Sequence, residues 1–281
     1  MSASCVNGSD EDIVATPNGA VMLMVNPDVK SRMSTDGYAT TFESGDRIKV
    51  SSAGLIDNMD GAILVVDGDG KTLNPEGSKK YYYNGNAEAR FYACYPKTAV
   101  FSGTQSVTFT VASDQTDEGA HVANDFMTAQ CTGTAASKPT LSFAHMLAWV
   151  KVEIENSNEN AITGITVKDI LPTATHTFGG TESIADFQAN GGIDVKMGRK
   201  DDGFGALIPQ QEIKAGKDLL DITIGDLTYT YAPTANITFG AGKVKTIKLK
   251  ISNSVVMEAG ISVADWSEEE EIEGNIFKKQ E

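Results

Sequence analysis

Residues 139–156 read PTLSFAHMLAWVKVEIEN, and their alternation decides the fold class. Leu141, Phe143, His145 and Leu147 share one parity, while Val150, Val152 and Ile154 share the other. A period of two is the signature of a β-strand that buries one face. The apolar parity changes near Ala148. Either a bulge or a passage of the chain from one domain into another is expected there.

The same short alternating runs recur on both sides. Upstream, SVTFTVAS at 106–113 places Val107, Phe109 and Val111 on one face, and GAILVVDGDGKTL at 61–73 is an apolar run punctuated by Gly and Asp. AVMLMVNPDV at 20–29 is the first apolar strand, followed by the polar loop KSRMSTDG at 30–37. Downstream, ITGITVKDI, FGALIPQQEI, LLDITIGDLTYTYAP, NITFGAGKVKTIKLKIS and MEAGISVADW continue the pattern between turn residues. The nearest approach to a helix is NDFMTAQCTG at 124–133, with Asp125 and Gly133 as weak caps. Many short strands separated by turn signals predict an all-β chain built of sandwiches or barrels. With 281 residues, two β-sandwich domains in tandem are expected, 20–145 and 146–281, behind a polar tether at 1–19.

The formal net charge of −15 repels nucleic-acid phosphates and anionic lipid. No run of about 20 apolar residues is present to cross a bilayer as a helix. Cysteine occurs three times, at Cys5, Cys94 and Cys131. If Cys94 and Cys131 pair, Cys5 is left over; if they do not, they read as small buried strand residues.

The candidate chemical motifs have plainer readings. His121, His145 and His176 are scattered without metal-ligand spacing, and His145 reads as a hydrogen-bonded strand histidine. In DGDGKTLNP the acidic pair Asp67 and Asp69 fits two positions of a calcium loop, but Lys71 stands where a third ligand is needed, so a hairpin turn is expected. GAGK at 240–243 lacks the spacing of a phosphate loop and reads as a hairpin. SEEEEIE at 267–273 reads as a solvated edge. No catalytic set and no metal or cofactor site is expected.

Seven stretches, in order, resemble one family. They are FESGDRIKV (42–50), RFYACYP (90–96), SDQTDEGAHVANDFMTA (113–129), LSFAHMLAWVKVEI (141–154), ALIPQQ (206–211), FGAGKVKTIKLKI (239–251) and ISVADW (261–266). Together they are similar to the fimbrillin family of the Bacteroidales, which includes subunits of type V fimbriae. The resemblance implies two transthyretin-like β-sandwich domains, export as a lipoprotein, and display at the outer membrane as part of a fimbrium.

In that light Cys5, near the start of the sequence as in a processed lipoprotein, resembles the lipid-bearing residue, and NGSDED after it an export tag. Ser2 departs from the Leu usual in a lipobox. Several acyl tails would anchor stably where one is marginal. The resemblance also implies assembly by donor-strand exchange. An arginine-specific protease would cut after Arg32, or alternatively after Arg47, and remove the strand within AVMLMVNPDV. A neighbour's strand would refill the groove, the donor lying in ISVADWSEEEEIEGNIF (261–277). Expected partners are other fimbrial subunits and a host protein or glycan, with the membrane met only through the lipid. A second reading is a monomeric surface lipoprotein that binds glycan, with Tyr81, Tyr82 and Tyr83 as a stacking platform.

Overall fold

The computed structural model describes residues 19–26, 42–117, 119–156, 161–180, 185–186, 192–200, 203–252, 255–265 and 273–278. Along the first half run β1 (Leu23–Val25), β2 (Arg47–Ala53), β3 (Ala62–Val66), β4 (Thr72–Pro75), β5 (Ala89–Tyr95), β6 (Val100–Phe101) and β7 (Ser106–Thr110). A single turn of helix α1 (Ala120–Asn124) precedes β8 (Met127–Gly133), β9 (Thr140–Leu141) and β10 (Ala144–His145). The second half holds β11 (Leu147–Asn156), β12 (Ile162–Ile170), β13 (Thr173–Thr177), β14 (Ala185–Asp186), β15 (Ile193–Lys196), β16 (Gly198–Lys200), β17 (Gly203–Pro209) and β18 (Gln211–Ile213). It ends with β19 (Leu220–Ile224), β20 (Leu227–Tyr231), β21 (Ile237–Phe239), β22 (Lys243–Ser252), β23 (Val255–Asp265) and β24 (Glu273–Lys278). The chain is all-β, as the alternation requires.

The first sheet has eight strands in the order β10-β8-β5-β2-β3-β4-β1-β9. Its edge strands β9 and β10 are separated by only Ser142 and Phe143. The sheet therefore curls until its ends nearly meet. Inside it lies one apolar core that includes Leu23, Ile48, Leu64, Phe91, Met127 and Phe143.

The second half is a sandwich. A six-stranded sheet, β16-β17-β11-β22-β23-β24, faces a four-stranded one, β15-β12-β19-β20. Val150, Val152, Ile208 and Leu249 from the first meet Val167, Val195 and Ile222 from the second. A small sheet, β14-β18-β21, adds Ile213 and Phe239 to the same core.

A third cluster joins these two. Tyr92 and Cys94 on the outer face of β5 pack with Val107, Phe109 and Phe126, and against Leu147, Trp149, Leu207 and Val244 from the back of the six-stranded sheet. It is covered by the ribbon β13-β7-β6, in which β13 from the second half pairs with β7 from the first. Thr173 opposes Thr110 and Thr175 opposes Thr108, each hydroxyl pair 3.1 Å apart.

This layering explains the parity change near Ala148. The register of β11 against β17 and β22 runs through without a shift, so there is no bulge. Leu141 and Phe143 belong to the curled core, and Leu147 and Trp149 to the middle cluster. Ala148, Val150 and Val152, of opposite parity, belong to the sandwich core. The segment passes through three cores, and the first half of β11 is buried on both faces.

NDFMTAQCTG, the nearest approach to a helix along the sequence, gives only Asn124 to the helical turn, and Met127–Gly133 forms β8, paired along its whole length with β5. Helix preferences of a few tenths of a kcal/mol per residue yield to a ladder and to burial. GAGK is a tight turn, with Gly242 at φ +65° and Lys243 N–H donating to the Gly240 carbonyl at 3.2 Å, but it is not a hairpin. It carries the chain from β21 in the small sheet to β22 in the large one.

Candidate functional site

The most unusual element of the curled sheet is β1. It has three residues, yet it sits between two strands, antiparallel to β4 and parallel to β9. Leu23 and Val25 are 0% and 1% exposed, while Met22 on the outer face is 46% exposed.

Backbone bonds hold the segment at both ends. Val21 N–H donates to the Tyr81 carbonyl, Met24 N–H to Pro139, Val25 N–H to Lys71 and Asn26 N–H to Leu141, at 2.8–3.0 Å. Tyr83 N–H donates to the Gly19 carbonyl at 3.0 Å. A side chain at Gly19 would come within 2.9 Å of Ala135 Cβ, so the entry to the slot is closely packed. The slot is thus lined by Leu73 and Leu141 from the flanking strands, with Tyr81 and Tyr83 beside it. Without β1 it would be an apolar groove between two unpaired strand edges, which is an open template for another strand.

Cys5 and Arg32 lie outside the described residues. Arg47 is described. It is the first residue of β2, with its backbone paired to Val65, and its Nε donates to Glu76 Oε1 at 2.8 Å. A protease needs an extended, unpaired segment, so Arg47 is shielded by its backbone although its side chain is half exposed. Of the segment 261–277, residues up to Asp265 belong to β23, which is paired on both sides by β22 and β24. Among the described residues of that segment, only those of β24 lie at a sheet edge.

The tyrosine platform does not form. Tyr81 and Tyr83 are buried in the curled core, and only Tyr82 is exposed, at 39%. Tyr83 lies edge-on to Phe91, 6.1 Å between ring centroids, and burial pushes its hydroxyl up to about 12.

Cys94 and Cys131 are free thiols. They stand on neighbouring strands but face opposite sides of one sheet, Cys94 in the middle cluster and Cys131 against the curled core. Burial raises both to about 12, which keeps them protonated and unreactive.

His145 and Asp125 form a fully buried pair, Nδ1 to Oδ1 2.6 Å. The geometry is that of a His–Asp dyad, but with both side chains 0% exposed it does not open to a substrate. It ties β10 to the end of α1. No group of three or more metal-ligating side chains occurs among the described residues.

The DGDG turn is settled by Asp69. Its carboxylate accepts from Lys71 N–H, Thr72 N–H and the Thr72 hydroxyl, at 2.8, 2.7 and 2.6 Å. The Thr72 hydroxyl is the main reason its pKa falls to about 2. The sign is that of a depressed carboxylate: its bonds are intact above the unfolded value and are lost as pH falls through about 2. The Asp69 carboxyl carbon is expected to titrate near 2 by NMR, and Thr72→Val should move the midpoint back toward the ordinary range. A midpoint unchanged by that substitution would remove the hydroxyl as the cause.

Residues 31–266 match the family model described as fimbrillin-like. The fold is similar to that of a Bacteroides uniformis ATCC 8492 protein named for cell adhesion, with TM-score 0.65 and 15% identity, covering 89% of this chain and 98% of that one. A Bacteroides ovatus ATCC 8483 protein named in the same way gives TM-score 0.62 at 18% identity, covering 86% and 97%. A fimbrial assembly protein of Parabacteroides distasonis ATCC 8503 gives 0.51 at 11% identity, covering 92% and 99%. At these identities the likeness concerns the fold. No curated protein matches the chain by sequence.

Proposed function

Since this chain belongs to the fimbrillin-like family, we propose that it is a surface subunit or adhesin of a fimbrium, assembled by exchange of β1. The observation that carries this reading is the slot. A three-residue strand with two buried side chains is paired on both edges and is joined to β2 through residues 26–46. Arg32 lies in that connection. Cleavage after it leaves β1 held by non-covalent contacts alone, so another strand is able to displace it.

The incoming strand supplies main-chain hydrogen bonds to β4 and β9 and alternate side chains to the sites of Leu23 and Val25. In this reading the donor is β24 of the next subunit, because it leaves a sheet edge without disturbing β23. Cys5 carries the lipid that brings the chain to the outer membrane, and the other partners are fimbrial subunits and a host protein or glycan.

The test is limited digestion with an arginine-specific protease, followed by N-terminal sequencing, detergent-resistant ladders on gels and negative-stain microscopy. One new N-terminus at Met33, followed by ladders and filaments, is the expected result. Resistance, first cleavage at Arg47, or a clean cut that leaves only monomer would refute strand exchange by self-assembly.

A further inference from the structure

Away from the slot, a pocket of about 380 Å³ opens between the outer face of β5 and β8 and the turns that carry Gln105 and Phe178. That volume falls within the range of small-molecule sites, about 300–1,000 Å³. Its floor is made of two rungs of the curled sheet, Arg90 opposite Thr132 and Tyr92 opposite Gln130, with Glu88 just before β5.

One wall is built in advance. Gln105 Nε2 donates to Tyr92 Oη at 2.7 Å, and Phe178 N–H donates to the Gln105 carbonyl at 2.9 Å. The Phe178 ring lies tilted against Tyr92, 5.0 Å between centroids. Gly179, at φ +74° and with nothing within 4 Å of a would-be Cβ, keeps the rim open. Both halves of the chain contribute, so the site exists only in the assembled fold.

The lining chooses among ligand classes. Arg90 is its one cation and Glu88 its one anion, so their charges cancel. On a chain of net charge −15 an anionic ligand finds no attraction. An apolar ligand would leave the exposed guanidinium, amide, hydroxyl and carboxylate without partners once water is displaced. A sugar hydroxyl both donates and accepts. Arg90 supplies donors, Glu88 acceptors, and Gln130 and Thr132 both, beside Tyr92 and Phe178 in the lining.

We propose that this pocket binds a neutral saccharide, one or two pyranose rings in extent. The proposal supplies a ligand class to the surface-adhesin reading. Its test uses the intact, uncleaved monomer, so a failure to polymerise has no bearing on it.

The experiment is amide chemical-shift mapping of the full chain with methyl α-mannopyranoside, methyl β-galactopyranoside and N-acetylglucosamine as probes and glucuronate as the charged comparison. At least one neutral probe should bind in the millimolar range and shift amides at 88–92, 105, 130–132 and 178–179. Gln130→Ala and Thr132→Val, both at exposed positions, should weaken binding about tenfold or more while the unfolding midpoint stays in place. Three results would each overturn the proposal: no shifts with any neutral probe, shifts that survive both substitutions unchanged, or tighter binding of glucuronate than of every neutral sugar.

Discussion

A chain shortened by residues 1–26 is expected to unfold about 10–20 °C below the full-length protein, and a peptide of residues 19–26 added in excess should restore most of the loss. The deletion removes Leu23 and Val25, which are almost wholly buried. It leaves Leu73 and Leu141, at 2% and 0% exposure, facing the vacated slot. Removing one large buried aliphatic side chain costs about 2–5 kcal/mol when the site does not collapse. Two adjacent ones, with the backbone acceptors at Lys71, Tyr81, Pro139 and Leu141 left open, bring the total to about 5 kcal/mol or more.

In a chain of this size each kcal/mol moves the midpoint by about 2–4 °C. The peptide acts by mass action on the folded state alone, so recovery should rise with its concentration. A peptide with Leu23 and Val25 replaced by Asp should give none. Circular dichroism melts read all of this. A midpoint within about 2 °C of full length would show that β1 is dispensable and that the slot is not a strand acceptor.

Trp149→Ala is expected to cost about 3–5 kcal/mol, the usual range for a large aromatic removed from a core. Trp149 is 1% exposed and sits on β11 in the middle cluster, where the outer face of β5 meets the back of the six-stranded sheet. Its ring lies 5.2 Å from that of His121 on the helical turn. The loss therefore falls on the contact between the two halves rather than on either main core.

Chemical denaturation should show this in two ways: a lower midpoint, and a broadened transition as the halves begin to unfold separately. Val150→Ala, one residue away but facing the sandwich core, should lower the midpoint and keep the transition sharp. If both variants broadened the transition equally, the middle cluster would not be the coupling layer.

Much of the architecture was legible along the chain because alternation is local. Val107, Phe109 and Val111 announce a buried face by their parity alone, and they are buried. The DGDG turn was legible from Lys71, which repels a cation, and from acidic residues that satisfy nearby backbone N–H groups. The ordered motifs from FESGDRIKV to ISVADW carried the family, which the match over residues 31–266 shows.

Pairing partners were not legible, because nothing within a strand encodes which distant strand lies beside it. Thr173–Thr177 pairs with Ser106–Thr110 across more than sixty residues, and only the shared covering of the middle cluster selects that match. The free state of Cys94 and Cys131 follows from a sheet buried on both faces at β5, which sends their side chains to different cores. The strand state of Met127–Gly133 follows from a ladder with β5 that outweighs weak local preference. The pocket beneath Phe178 needs residues from both halves.

Composition and period determined that the chain is all-β and where many of its strands and turns fall. Tertiary structure alone decided which strands pair, which faces are buried twice, and where a groove and a pocket open. Strand propensity and turn chemistry act over a few residues, whereas burial is shared by the whole chain.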